Sequence, residues 1–207
     1  MRRLLLGSYG VAAVTQLSDR DIRGLPLAYV PTAAGPEAET KFWVKAERRQ
    51  LERLACEAVT LDLAFADTTE VEACLGAVEA VFVTGGDAYR LLWHARRSGF
   101  SAVVQRRVER GDLLYVGTSA GAILAGPDIA PLASWEETGD VPRLPSTEAL
   151  QLVDFTILPH DDHEDRNDLN EAIVLAHSQR EFIRVRDDQA VAVRGEAVTI
   201  VDSPLLD

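Results

Sequence analysis

Residues 113–124, LLYVGTSAGAIL, compress a buried strand, a turn of small residues and a helix start into twelve positions. Leu113–Val116 is an uninterrupted apolar run, and Gly117-Thr118-Ser119-Ala120-Gly121 matches G-x-S-x-G before Ile123 and Leu124 resume an apolar helix. A strand that is apolar on both faces belongs inside a sheet covered on both sides, which a parallel α/β sheet provides. Such a turn either merely packs a helix on a strand or forms a nucleophile elbow. Small flanking residues let strand and helix approach, and Ser119 is forced above the carboxyl end of the sheet. The N–H of Ala120, at the helix start, then faces the space beside the Ser119 hydroxyl, where an oxyanion would develop.

The rest of the chain repeats this alternation. Short apolar runs at Arg3–Leu6, Leu27–Val30, Thr60–Leu63, Ala80–Thr84, Leu113–Gly117 and Phe155–Leu158 read as strands. Helical patterns fall at Glu37–Cys56, Asp67–Leu75, Tyr89–Arg97, Ala102–Arg110, Ala120–Leu124 and Asp168–Gln179. Such alternation predicts a mostly parallel sheet with helices on both faces, joined by right-handed crossovers. Ala190–Val193 and Val198–Val201 have no helix between them and are expected to form a hairpin at one edge. Residues Gly126–Ser146 hold four prolines and little periodicity and are expected to be a surface excursion. At 207 residues the chain is expected to be one α/β domain, residues 1–207.

Charge narrows the function. Thirty-three acids against 21 bases leave −12, which argues against a nucleic-acid binder or a protein docked on an anionic membrane. No stretch reaches the ~20 apolar residues of a membrane span, and Gly7, Ser8 and Gly10 interrupt the N-terminal apolar run too early for a signal peptide. Cys56 and Cys74 cannot build a disulfide framework and read as buried reduced thiols. A cytoplasmic location is expected. The acidity is local: residues 136–168 carry ten acids and two bases, whereas residues 87–110 carry six arginines and two acids.

A second glycine turn, Gly85-Gly86, follows the run Val81–Thr84. Backbone N–H groups at the carboxyl end of a parallel strand lie where such sheets bind ligands, so Gly86 is a candidate second oxyanion donor. A plain helix entry capped by Asp87 explains the same residues. A serine nucleophile needs a base, and four histidines are present. His94 and His177 fall in helical patterns and read as surface or helix-end residues. His160 follows the run Phe155–Leu158 through Pro159, just past a strand end, with His163 as its neighbour. The orienting acid is left open among Asp128, Glu136, Asp187, Asp188 and Glu196. The segment PHDDHEDRNDLN reads as a loop opening a helix at Asp168 rather than as a metal site, whose ligands need defined spacing on rigid elements. No metal or cofactor is expected.

Together, GTSAGA, the upstream GGDAYRLL, PTAA at 31–34 and LPH at 158–160 resemble the peptidase E (aspartyl dipeptidase) and cyanophycinase family, over residues 3 to 201. The resemblance implies a class I glutamine amidotransferase-like fold and a serine hydrolase. It implies Ser119 as nucleophile, His160 as general base and the N–H groups of Gly86 and Ala120 as the oxyanion hole. It implies a late glutamate orienting the histidine, matched by Glu196, although the glycine that usually follows is Ala197. Arg166 resembles the arginine that reads an acidic substrate side chain. Asp87 stands where the family often has asparagine, and a carboxylate there disfavours an acidic substrate unless it is paired. The implied substrate is a small peptide, Asp-X dipeptides included, handled by a monomer or homodimer. The alternatives are a cyanophycinase-like hydrolase of β-aspartyl-arginine bonds and a non-catalytic binding module, in which no histidine would approach Ser119.

Overall fold

The computed structural model describes residues 1–17, 24–135 and 141–205. Its centre is a seven-stranded sheet in the order β3-β2-β4-β5-β1-β8-β9. The strands are β1 (Arg3–Gly7), β2 (Pro26–Val30), β3 (Glu57–Thr60), β4 (Ala80–Val83), β5 (Leu114–Thr118), β8 (Gln189–Arg194) and β9 (Ala197–Asp202). The first five run parallel. β8 and β9 return antiparallel as the edge hairpin anticipated from the sequence. A separate pair, β6 (Thr156–Leu158) and β7 (Phe182–Arg184), is parallel as well.

Strand residues alternate between two cores, as a period of two requires. Leu4, Leu6, Val81, Val83 and Tyr115 face the layer of α2 (Thr68–Gly76), α3 (Ala88–Arg97), α4 (Phe100–Arg110) and α5 (Ala120–Leu124). Leu5, Tyr29, Phe82 and Val116 face the layer holding α1 (Phe42–Arg53). Both faces are covered, so the apolar runs are continuous, and Leu4, Leu5 and Leu6 all have zero exposure.

Three sequence expectations shift. β3 lies three residues before the expected run Thr60–Leu63, because it is an exposed edge strand and Leu61 and Leu63 are buried in the loop after it. The final helix, α6 (Glu164–Ala176), begins four residues before Asp168, with Glu164 and Asp165 in its first turn, where acids suit the helix dipole. Within Gly126–Ser146, Ile129 and Leu132 are fully buried, so this stretch contributes to the core and is not merely a surface excursion. Cys56 and Cys74 are free thiols but only half-buried. Among the described residues no helix is long and apolar enough to cross a membrane.

Candidate active site

The site lies at the carboxyl ends of β4, β5 and β1, the usual ligand side of an open α/β sheet. Ser119 sits between β5 and α5 with φ 47° and ψ −111°, a conformation that side-chain-bearing residues adopt only under constraint. Packing supplies that constraint. A Cβ on Gly117 would come 2.4 Å from the Gly121 carbonyl oxygen, and one on Gly121 would come 2.1 Å from that of Val83. Both glycines of the G-x-S-x-G motif are thus dictated by close backbone approach. Beneath the turn, the buried Tyr115 hydroxyl donates to the Gly121 carbonyl at 2.7 Å, and the Ser119 N–H donates to Gly7 at 2.9 Å.

The histidine arrives from the small sheet. β6 and β7 pair in register, Leu158 beside Arg184, so the chain leaves both strands at the same end. His160 follows β6 after Pro159, and Asp187 follows β7 after Val185 and Arg186. His160 Nε2 lies 3.0 Å from Ser119 Oγ, and its Nδ1 lies 2.6 Å from Asp187 Oδ1. An ionised carboxylate can only accept, so Nδ1 carries the proton and Nε2 is left to accept from the Ser119 hydroxyl. His160 itself has φ 60°. Its N–H donates to the buried Ser8 Oγ at 2.5 Å, and Ser8 Oγ in turn donates to the Val185 carbonyl at 3.3 Å.

His163 shares the carboxylate, its Nε2 2.9 Å from Asp187 Oδ2. Burial alone would push the Asp187 carboxyl up, but hydrogen bonds from the two imidazoles outweigh it and hold the group below its ordinary value. The same hydrogen bond raises His163 above the ordinary histidine value. His160, His163 and Asp187 also gather three potential metal-ligand atoms within 4.8 Å of one another. The two rings satisfy both carboxylate oxygens, so hydrogen bonding alone explains the cluster.

Asp187, one of five acids left open by the sequence, therefore occupies the position against His160; the resemblance had pointed to Glu196 instead. Glu196 is exposed in the β8–β9 turn, at the far end of β8. Six residues at about 3.4 Å each separate the two ends of that strand by roughly 20 Å. β8 runs antiparallel to β1 and starts at the site, so an acid in its leading turn reaches His160 and one in its trailing turn does not. Asp188 pairs with Arg186, and Asp128 pairs with Arg180 at 3.1 Å. Glu136 lies outside the described residues. His94 is buried within α3 rather than at the surface.

The Gly85-Gly86 turn comes to the same place. A Cβ on Gly85 would stand 3.0 Å from Ser119 Cβ, and one on Gly86 would meet the Ala33 carbonyl oxygen at 2.2 Å. Gly86 has φ 139° and is exposed. The N–H on one side of it, at Gly85, serves the Glu47 carboxyl, and the one on the other side, at Asp87, donates to Ala33 at 2.9 Å. Ala120 is the first residue of α5. The Asp87 carboxyl accepts from the Arg90 N–H at 2.8 Å and caps α3, the helix-entry role weighed in the sequence. Arg166 is half-buried on the first turn of α6, three residues beyond His163.

Sequence reasoning missed two residues of this neighbourhood. His163 stands in the sequence only as a neighbour of His160, and Glu47 is one acid among several in the helical pattern Glu37–Cys56. The inward positions of that helix are Val44, Glu47, Gln50 and Leu51, two of them polar.

Comparison with known proteins identifies the family. The profile of peptidase family S51 matches residues 13–201. An uncharacterized peptidase of Listeria monocytogenes is 30% identical over 181 residues, 87% of each chain. A peptidase E of Streptomyces coelicolor is 35% identical over 122 residues, 58% of this chain and 47% of its own. A cyanophycinase of Nostoc is 29% identical over 147 residues, 66% of this chain and 49% of its own. The crystal structure of a Listeria monocytogenes protein, described as a candidate peptidase E, superposes with a TM-score of 0.87 at 29% identity, covering 98% of both chains. With a G-x-S-x-G turn and a histidine in reach of its hydroxyl, the chain belongs to peptidase family S51 and is a serine-type peptidase.

Proposed function

We propose that this peptidase is an exopeptidase of small peptides, Asp-X dipeptides among them, working through Ser119, His160 and Asp187. The observation that carries the reading is the chain of contacts from Ser119 Oγ to His160 Nε2 at 3.0 Å and from His160 Nδ1 to Asp187 at 2.6 Å. The contact with Ser119 also weighs against a non-catalytic module.

The chemistry follows from these atoms. His160 Nε2 takes the proton of the Ser119 hydroxyl as the oxygen attacks the scissile carbonyl carbon. The carbonyl oxygen becomes an oxyanion, which the N–H groups of Gly86 and Ala120 receive. His160 then returns its proton to the departing amine, leaving an acyl-serine, and water repeats the cycle to release the acid and restore Ser119. Asp187 stays ionised throughout and stabilises the imidazolium. Arg166 is the residue proposed to read an acidic first side chain. Asp87 is proposed to act beside it through α3, since its capping contact fixes the helix entry at Gly86.

A serine-directed fluorophosphonate tests the mechanism: mapping should find the label on Ser119 and nowhere on Ser119→Ala. A panel of Asp-X, Ala-X and β-aspartyl-arginine dipeptides tests the substrate, with Arg166→Gln raising KM for Asp-X alone. Label on another residue refutes the mechanism. A labelled enzyme that leaves Asp-X intact refutes the specificity. Cleavage restricted to β-aspartyl-arginine selects the cyanophycinase-like alternative.

A further inference from the structure

Glu47 is a carboxylic acid with 1% exposure, on the opposite side of the sheet from α5. Four donors converge on it. The Tyr29 hydroxyl donates at 2.9 Å and the Thr118 hydroxyl at 2.6 Å, joined by the Thr84 hydroxyl in a very short contact and by the Gly85 N–H. Tyr29, Thr84 and Thr118 stand on adjacent strands where the ladder runs out: Val30 pairs with Val83, and Val83 with Gly117. Burial pushes the Glu47 carboxyl up, and the hydrogen bonds from Thr118, Thr84, Tyr29 and Gly85 oppose that push. A core position filled by leucine would leave the Gly85 N–H and the Thr118 hydroxyl without their carboxyl partner and would strip the hydrogen-bonded Tyr29–Thr84 hydroxyl pair of its acceptor, so the acid is tied to what lies immediately beyond its donors. Thr118 is bonded to Ser119. Gly85 is bonded to Gly86.

We propose that Glu47 is a positioning residue for the hydrolysis: its carboxyl group joins the strand end bearing the nucleophile to the strand end bearing the Gly86 oxyanion donor, and so sets their separation. This rests on the proposed roles of Ser119 and Gly86. Thr118 binds one carboxyl oxygen and Thr84 the other, so the planar group acts as a spacer of fixed width under both turns. It touches neither substrate nor the reacting atoms. A misplacement of about 1 Å between nucleophile and oxyanion donor costs on the order of 100-fold in rate, with little effect on initial binding.

The test is the rate of fluorophosphonate labelling of Ser119, resolved into kinact and KI, so that no peptide substrate need be known. Glu47→Leu should lower kinact by about 100-fold with KI within threefold of wild type. Glu47→Gln keeps the shape and one acceptor oxygen, and should recover part of the rate. Thr118→Val removes a single donor, and carries the test if Glu47→Leu fails to fold; it should lower kinact about tenfold. Equal kinact in wild type and Thr118→Val, or a loss confined to KI, overturns the positioning role while the hydrolase reading stands. A wild-type protein that does not label at Ser119 overturns both.

Discussion

Replacing Asp187 by asparagine separates the two services that its carboxylate performs for His160 in the proposed mechanism. One is tautomer selection, the other charge. The His160 and Asp187 side chains are 25% and 27% exposed and meet at 2.6 Å, which puts the centres of charge of imidazolium and carboxylate about 4 Å apart. At an effective dielectric constant near 20 their attraction is about 4 kcal/mol, worth roughly a thousandfold in rate. Asparagine removes that attraction but need not reverse the tautomer. His163 sits on the second carboxylate oxygen at 2.9 Å, so the new amide can donate to His163 while its carbonyl still accepts from His160 Nδ1–H. The expected loss in kcat is therefore about 100- to 1000-fold, short of the roughly 10,000-fold that accompanies a wrong tautomer. Asp187→Ala loses both services and should fall further. Stopped assays of amine release on the best dipeptide of the panel, with Ser119→Ala as the floor, measure each kcat. Glu196→Gln is the control and should match wild type. If Asp187→Asn stays within threefold of wild type, or Glu196→Gln loses as much as Asp187→Asn, the assignment of the acid is wrong.

Other outcomes follow from the same contacts. His163 is raised above its unfolded value by Asp187, so its pairing adds stability that is fully present below pH about 6.5 and is lost as pH rises through the raised value. The gap in urea midpoint between wild type and His163→Ala should accordingly be larger at pH 5.5 than at pH 9; an unchanged gap refutes the pairing. Gly121→Ala drives a Cβ to 2.1 Å from the Val83 carbonyl oxygen. It should cost about 1–3 kcal/mol or more, seen as a thermal midpoint lowered by roughly 2–4 °C per kcal/mol. Asp87→Ala removes the cap of α3 and should cost about 1 kcal/mol in the same thermal scan. A fall in KM for Asp-X on that substitution would mark Asp87 as a charge that the substrate feels directly.

The parts legible in the sequence were those fixed by local geometry. Ser119, Gly117 and Gly121 could be read because a strand-to-helix reversal with no room for a Cβ leaves few residue choices. His160 could be read because Pro159 ends an apolar run where loop residues meet a site. The acid was harder, since its identity depends on chain direction in three dimensions. β7 is only three residues long, and without it nothing indicated that the turn before β8, rather than the one after, faces His160. Glu47 was obscured for a different reason. A polar residue on the inward face of α1 weakens the apolar periodicity that would have oriented the helix, and its partners come from three separate strands. β3 was misplaced because an exposed edge strand carries no burial pattern.

Ser119 and His160 belong to different sheets, and this has a thermodynamic consequence. Ser119 is anchored in the seven-stranded sheet, whereas His160 and Asp187 hang from the short β6–β7 pair. The Ser8 hydroxyl, which bonds His160 at 2.5 Å and Val185 at 3.3 Å, is a rivet between the two bodies. Both sheets nevertheless share one core, in which Ile157, Leu158 and Val185 are fully buried, so Ser119 and His160 stay in register only while that whole core is folded. Activity and folded fraction should then fall together on heating, and Ser8→Ala should lower both midpoints by the same amount.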